Sequence, residues 1–574
     1  MANRIQLREL PLALQLRNAV APFARITTPV KDPYHEEVIA SHRSGDREVS
    51  VSTLATGVGH SLPSITEELT EGHFLKSFIV QEGPITNADV KGILDKLPRL
   101  SLAYYENGGM PGSTNKVSPY QDGSWRRDDA IMLYSLINAA SFPFLDRESK
   151  LELEKIIKQK LTQFACFDND PSQREHYTSF FFLDSQDANR NRELAKQKFR
   201  KDIQGLPRAK ASINSEGYLG DYVDWGHDQL DSFGLMLYVY FYAANQGIID
   251  LKELDSHLTN IEKERQSPGE RQRGEKTNNE KDSIFSVMIN FLLTVEYHSQ
   301  DDRGAWEKEQ AYQRTSSVGL CQLAMLEAKT YFENRKWDPN KIIRINENVD
   351  LKAKMKEGIH HGDGVLNMRI PSDGRNAVET DKTPNDAALA FLLLFNPNLT
   401  EEQEKAIEKA LEDLDDRRFK GDNFMGQNYA LNPKGKGEWA DPVEGFEEAR
   451  WTIFRPMRAA YYYKKYIKSV EKGLPDEESF EKANHHFKKT LPLITKQKYV
   501  FEQHVNQYEK VTVEVDAGVL PEAWWKLAQG NDERWLPNSN SPLNMASAIF
   551  GVMITEAIKA NNLRESMSGS ILAA

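Results

Sequence analysis

The sequence predicts an all-α protein built as a two-layer helical toroid. Three features lead there. Helical apolar periodicity recurs from about residue 85 to the end of the chain. Some of these stretches are apolar nearly all round, as suits an inner layer packed on both sides, whereas others carry one charged face, as suits an outer layer. Strand patterns are expected to be sparse after residue 80.

The elements follow in order. Residues 1–80 are mixed, with β-like content in "DREVSVSTLA" and recurrent Gly and Ser in "TGVGHSLPS". They read as an N-terminal extension with a few short strands, ahead of a main domain over 81–574. "ITNADVKGILDKL" opens the helical series, with Thr86 or Asn87 as its cap and Val90, Ile93, Leu94 and Leu97 as its stripe. "RRDDAIMLYSLINAASF", "KLELEKIIKQKLTQFA" and "SFGLMLYVYFYAANQG" continue it. "SIFSVMINFLLTVEYH", "SSVGLCQLAMLEAKTYFE", "NDAALAFLLLFN" and "EEQEKAIEKALEDLDDR" follow. "RPMRAAYYYKKYIKSVEKG", "EESFEKANHHFKKTL" and "SPLNMASAIFGVMITEAIKAN" complete it. The charge run over 260–282, which contains Pro268, Gly269 and Gly274, reads as a solvated loop. "KVTVEVDAG", with alternating valines, is the best late strand.

Composition narrows the function classes. The chain has 574 residues, 39% hydrophobic and 28% charged, which fits a globular protein with a substantial core. A net charge of -12 gives no basic excess for a phosphate backbone, so nucleic acid is not an expected partner. No apolar run approaches the roughly 20 residues of a membrane span. The N-terminus carries Glu9 within its apolar part and arginines on both sides, a poor secretory signal; a cytoplasmic location is expected, with secretion open if a leader has been removed. Cys166 and Cys321 are two cysteines in a long chain and read as free thiols.

Four segments set Trp beside charged groups where helices begin or loops end. They are "GSWRRDDAIML" (Trp125, Arg127, Asp128), "DWGHDQLDSFG" (Trp225, Asp231), "GAWEKEQ" (Trp306, Glu307) and "AGVLPEAWWKL" (Glu522, Trp524, Trp525). Singly, each reads more readily as structural, and the first two as helix starts, where acidic groups complement the dipole or cap the end. Together they resemble a carbohydrate site, which needs aromatic platforms for sugar faces and charged partners for hydroxyls. Cleaving a glycosidic bond usually needs two carboxyls, one held protonated by an apolar setting and one ionised. No P-loop, GxGxxG, HExxH or GxSxG motif competes. The pairs His360–His361 and His485–His486 read as surface histidines, because adjacent residues face different ways and make poor joint metal ligands. No metal or cofactor is expected.

"SWRRDD", "WGHDQLD", "GAWEKEQAYQRTSSVGL" and "LPEAWW" stand in the order found in glycoside hydrolase family 15, which the sequence resembles over roughly residues 85–574. That family holds glucoamylases and glucodextranases, and the phosphorylase kinase α and β subunits carry homologous N-terminal halves. "YVDWGHDQLDSFGLMLYVYF" and "SSVGLCQLAMLEA" look most like the kinase branch. The resemblance implies an (α/α)6 barrel and an inverting release of glucose from non-reducing ends of α-glucans. It implies Glu307 as general acid and Glu522 as general base. Arg127 and Asp128 would hold the terminal glucose, Trp125, Trp225 and Trp306 would be site aromatics, and Asp231 would be the site's acidic residue. Arg418, in "DRRFKGDNF", would be a substrate-binding arginine. The chain departs from the family at Ala523, after the base, and at Met545 and Ser547 in the last inner helix. Two other readings stay open: a non-catalytic glucan-binding or regulatory module, and a hydrolase of another α-glucoside such as dextran, isomaltose or trehalose.

Overall fold

A computed structural model describes the strand Leu7–Leu10 and most of residues 83–573; the longer segments outside it are 11–82, 182–187, 221–225, 266–282, 306–310, 339–349 and 419–449. The described helices begin with α1 (Asn87–Lys96), α2 (Arg126–Ala140), α3 (Arg147–Asp168), α4 (Pro171–Thr178) and α5 (Ala188–Lys201). Then come α6 (Leu230–Asn245), α7 (Leu251–Arg265), α8 (Ile284–Thr294), α9 (Thr315–Asn334) and α10 (Leu351–Arg369). The series closes with α11 (Leu389–Phe395), α12 (Glu401–Arg418), α13 (Phe454–Glu471), α14 (Glu477–Thr490) and α15 (Asn544–Ala573).

Six of these helices form a closed ring. Helix α2 packs on α6, α6 on α9, α9 on α11, α11 on α13, α13 on α15, and α15 returns to α2. Each member has a second layer outside it: α3 against α2, α8 against α6, α10 against α9, α12 against α11, α14 against α13 and α1 against α15. The two helix types expected from the sequence follow these layers in part; outer α8 is buried from Ile284 to Leu292 as an inner helix would be. Every residue of α2 and of α11 is buried, because the ring packs them on both sides. Outer α3 buries Leu153, Ile156, Ile157, Leu161 and Phe164 on one face. The ring is tight: a Cβ on Gly234 of α6 would fall 2.7 Å from the backbone nitrogen of Cys321 on α9.

Connections are short at one end of the ring. Residues 141–146, 246–250, 396–400 and 472–476 join inner helices to the helices that follow them. The return paths are long and lead to the N-terminal ends of inner helices, as do 295–314, 370–388 and 491–543. Those ends therefore share one face, which carries most of the strands. β3 (Gly123–Trp125), β4 (Lys210–Ile213) and β5 (Leu219–Gly220) make one small antiparallel sheet. β6 (Arg450–Trp451), β9 (Ala523–Gln529) and β10 (Asp532–Pro537) make another, and β7 (Tyr499–His504) pairs with β8 (Lys510–Val515). β8 is the strand expected from the alternating valines, and Val513 and Val515 are buried.

Strands after residue 80 are few and short, as expected, and lie on the return paths that cross the face. One expectation needs correction. His486 is buried rather than at the surface: its ring stacks on Tyr462 at 5.6 Å, and Arg455 Nη1 stands 3.3 Å from its Nδ1. Neither cysteine forms a disulfide, Cys321 being buried and Cys166 half-buried. Of the N-terminal extension, the described residues include β1 (Leu7–Leu10), which pairs with β2 (Leu102–Tyr105).

Candidate active site

At the start of α2, four consecutive charged residues divide by direction. Arg126 and Asp129 lie three positions apart and share one helix face, toward α3. Arg126 donates two bonds to Asp168, at 2.8 and 2.6 Å, and packs 5.2 Å from the Phe233 ring centre. Asp129 pairs with Lys160 at 2.8 Å and accepts from Ser124. These two pairs are fully buried and bind the layers together. Arg127 is turned about a quarter-circle away. Its Nη1 donates to Asp231 Oδ2 across 3.1 Å, and its Nε stands 3.7 Å from Asp128 Oδ1. Arg127, Asp128 and Asp231, expected from the sequence to belong together, are thus brought together across the starts of α2 and α6. The cap position of α2 is Trp125, so Asp128 is not the capping residue. Trp125 itself is buried, with the Lys210 ammonium 4.2 Å from its ring centre.

Beneath Asp231 lies a residue that the sequence reading did not single out. Asp302 Oδ2 accepts from the backbone N–H of Leu230 at 3.0 Å and from Ser317 Oγ at 2.8 Å. Its backbone exchanges two hydrogen bonds with Tyr312, each 3.0 Å. Arg314 Nε donates to its carbonyl at 3.2 Å. Burial and the Asp231 charge push the Asp302 carboxyl well above the usual carboxylate range. Next to it, Arg303 pairs with Asp228 at 2.9 Å and donates its backbone N–H to the Asp228 carbonyl at 2.8 Å. The segment before α6 is thereby fastened to residues 302–303.

The start of α9 holds a second buried carboxyl. Glu379 accepts from the Ser316 backbone N–H at 2.9 Å and from Ser316 Oγ at 2.5 Å. It thus satisfies donors that the helix end leaves free. Burial, then the charge of Asp386 at the start of α11, raise the Glu379 carboxyl to about 7.

Glu522 stands directly before β9. It is buried, and Asn538 Nδ2 donates to its Oε2 across 2.6 Å. Its carbonyl accepts from the Thr452 N–H at 3.2 Å, just ahead of α13. Backbone bonds run from this region to the start of α2: Leu543 N–H to Leu520 carbonyl, Asn544 N–H to Gly112 carbonyl, and Gly112 N–H to Gly123 carbonyl. Trp524 is a packing residue, its Nε1 donating to the Leu493 carbonyl at 2.9 Å.

Trp225, Trp306 and Glu307 lie outside the described residues. Arg418 ends α12, and its side chain lies outside them as well. Among the described residues no cluster of His, Cys, Asp and Glu is arranged to hold a metal ion, and no helix is long and apolar enough to cross a membrane. The residues missed by sequence reading are Asp302, Glu379 and Asn538. Asp302 lay in the turn-like "DDRGA" beside Trp306; the others are single polar residues in loops with no local signal.

No family model matches the sequence, and no curated protein matches it. Solved structures do. A glycosidase is similar at 12% identity and a TM-score of 0.47, covering 82% of this chain and 95% of its own. A glucoamylase from Saccharomycopsis fibuligera is similar at 13% identity and a TM-score of 0.46, covering 80% of this chain and 90% of its own. A D-mannose isomerase is also similar, at 10% identity and a TM-score of 0.36, covering 87% of this chain and 100% of its own.

Proposed function

We propose that the protein is an exo-acting, inverting α-glucan hydrolase that releases glucose from non-reducing ends of glycogen, starch or maltooligosaccharides. One observation carries the reading: the buried Arg127–Asp128–Asp231 cluster and the amide-held carboxyl of Glu522 stand on the same face of the ring, linked by backbone bonds. An Arg–carboxylate cluster offers sugar hydroxyls charge-assisted bonds on both donor and acceptor sides. The family resemblance of the four sequence motifs supports the reading further.

In this reading Arg127 and Asp128 grip the terminal glucose, and Asp231 fixes Arg127. Glu307 protonates the leaving glycosidic oxygen. Glu522 takes a proton from the attacking water on the opposite face of the sugar. Asn538 holds Oε2 of Glu522 and so fixes the orientation of the carboxyl that acts on that water. Trp225 and Trp306 supply stacking surfaces, Trp125 backs the start of α2, and Arg418 adds a substrate contact. Inversion sets the two carboxyls about 6.5–9.5 Å apart, leaving room for water.

The test is glucose release from maltotriose, followed by polarimetry or NMR of the nascent anomer, with the Glu307→Gln, Glu522→Gln double variant as control. β-Glucose released by the wild type alone supports the proposal. Binding of maltooligosaccharides without release would mark a non-catalytic glucan-binding module. Release from dextran, isomaltose or trehalose in preference to maltotriose would assign a different linkage.

A further inference from the structure

The described structure leaves two carboxyl oxygens unaccounted for, and they belong to neighbouring groups. Asp231 directs Oδ2 to Arg127, and Asp302 directs Oδ2 to the Leu230 N–H and Ser317 Oγ. The remaining Oδ1 atom of each is buried and has no hydrogen-bond partner among the described residues. Asp302 bonds to the residue directly before Asp231, and two fully buried carboxylates so near would repel with no water to screen them. A proton held between the two free oxygens satisfies both and leaves one negative charge, which Arg127 neutralises.

We propose that Asp302 is a positioning residue for sugar binding: it donates a proton from Oδ1 to Asp231 Oδ1, and this bond holds Asp231 as the counter-ion that aims Arg127. Each of the four carboxyl oxygens then has a defined role. Oδ2 of Asp302 accepts from α6 and α9, its Oδ1 donates, Oδ1 of Asp231 accepts, and Oδ2 of Asp231 meets the guanidinium. The link explains why a carboxyl so far from the surface is retained where a leucine would fill space. Burial, then the Asp231 charge, push the Asp302 carboxyl toward its protonated form, in agreement with the shared proton. Arg314 and Cys321 are its other neighbours, and neither competes for Oδ1: Arg314 Nε donates to the backbone carbonyl, and the Cys321 thiol donates to the Leu230 carbonyl. Asp302 touches no sugar in this scheme; it acts through Asp231 and Arg127. The inference rests on the α-glucan reading for its ligand, though not for the proton.

The test compares Asp302→Asn and Asp302→Ala with the wild type. Asparagine keeps an acceptor for Leu230 and Ser317 and supplies an N–H donor to Asp231; alanine supplies neither. KM for maltotriose is expected to rise tenfold or more in Asp302→Ala, with kcat changing less, and to return to within about threefold of wild type in Asp302→Asn. Equal loss in both variants, or a fall in kcat at unchanged KM, overturns the proposal. Infrared difference spectra at pH 8 give a readout independent of sugar. The band of a protonated carboxyl, present in the wild type, is expected to vanish in Asp302→Asn. A wild type that shows the band but neither binds nor cleaves maltotriose sinks the glucan reading and leaves the shared proton standing. Absence of the band in the wild type sinks the shared proton whatever the activity.

Discussion

Asn538 donates its amide N–H to Glu522 Oε2 across 2.6 Å, while its own Oδ1 stands 3.4 Å from the Ala523 backbone N–H and 3.3 Å from Ser541 Oγ. One side chain thus fixes the orientation of the carboxyl by bonds made on both sides of it. Asn538→Ala removes a bond to a charged group, worth about 1.5–3 kcal/mol, so kcat for maltotriose is expected to fall roughly 10- to 100-fold. The Michaelis constant is expected to change little, because Glu522 acts on water and not on the bound sugar. A variant with normal kcat would remove Asn538 from any role in the reaction.

Glu307→Gln keeps the side chain's shape and removes its proton. The expected result is a loss of about 10²-fold or more in kcat for maltotriose. α-Glucosyl fluoride, whose leaving group needs no proton, should be hydrolysed at a nearly normal rate. Wild-type turnover of maltotriose in this variant would mean that another group is the acid.

Asp128→Asn separates subsite from helix start. Because the cap position of α2 belongs to Trp125, an asparagine three residues later gains no capping bond and loses only charge. Binding of the terminal glucose should weaken by about 1.5–3 kcal/mol, with unfolding free energy nearly unchanged. Activity equal to wild type together with lowered stability would assign Asp128 to the helix dipole instead.

Glu379 gives a pH prediction. Its folded value of about 7 lies above an unfolded value near 4.3, so the native state binds more protons between them. The stability it contributes is whole below pH ~4.3 and is lost as pH rises through 7, at up to about 1.4 kcal/mol per pH unit. Glu379→Gln cannot ionise and should flatten the dependence of unfolding free energy on pH within that window. Urea titrations at a series of pH values measure the difference, and identical slopes for the two proteins would contradict the assignment. Asp302 acts in the same direction in both proteins and cancels.

The ring was legible in the sequence because burial writes itself locally. A helix packed on both sides must be apolar all round, and "LAFLLLF" or "FGLMLYVYFYAA" can be read without knowing the neighbour. Helix α10 was not read, because "KEGIHHGDG" carries the glycines of a loop. Those glycines are packing residues: a Cβ at 358 would meet Leu293 at 2.5 Å, and one at 362 the Tyr297 hydroxyl at 2.8 Å. Where the sequence showed "RRDD" as one charged block, the structure separates it into pairs that brace the layers and a pair that faces Asp231. Periodicity implies that separation, yet the partners Asp168, Lys160 and Asp231 are set by tertiary contact alone. Asp302, Glu379 and Asn538 were illegible for the same reason. Each stands among other polar residues with nothing local to single it out, and its meaning depends on a group elsewhere along the chain, as Glu379 depends on Ser316.

Closure of the ring by α15 against α2 has a consequence for the order in which this protein is made. A chain emerging from the ribosome can pair α2 with α3 early, since the two are adjacent in sequence, and add α6 before the rest of the ring exists. The seam between α15 and α2, and the backbone bonds from Leu543 and Asn544 to Leu520 and Gly112, wait until the final inner helix has been synthesised. Until then the apolar flank of α2 is uncovered and Glu522 lacks its fastening to the opposite side of the ring. Contacts of such long range come late and slowly. A nascent chain therefore acquires its helices well before it acquires the face on which they are put to use.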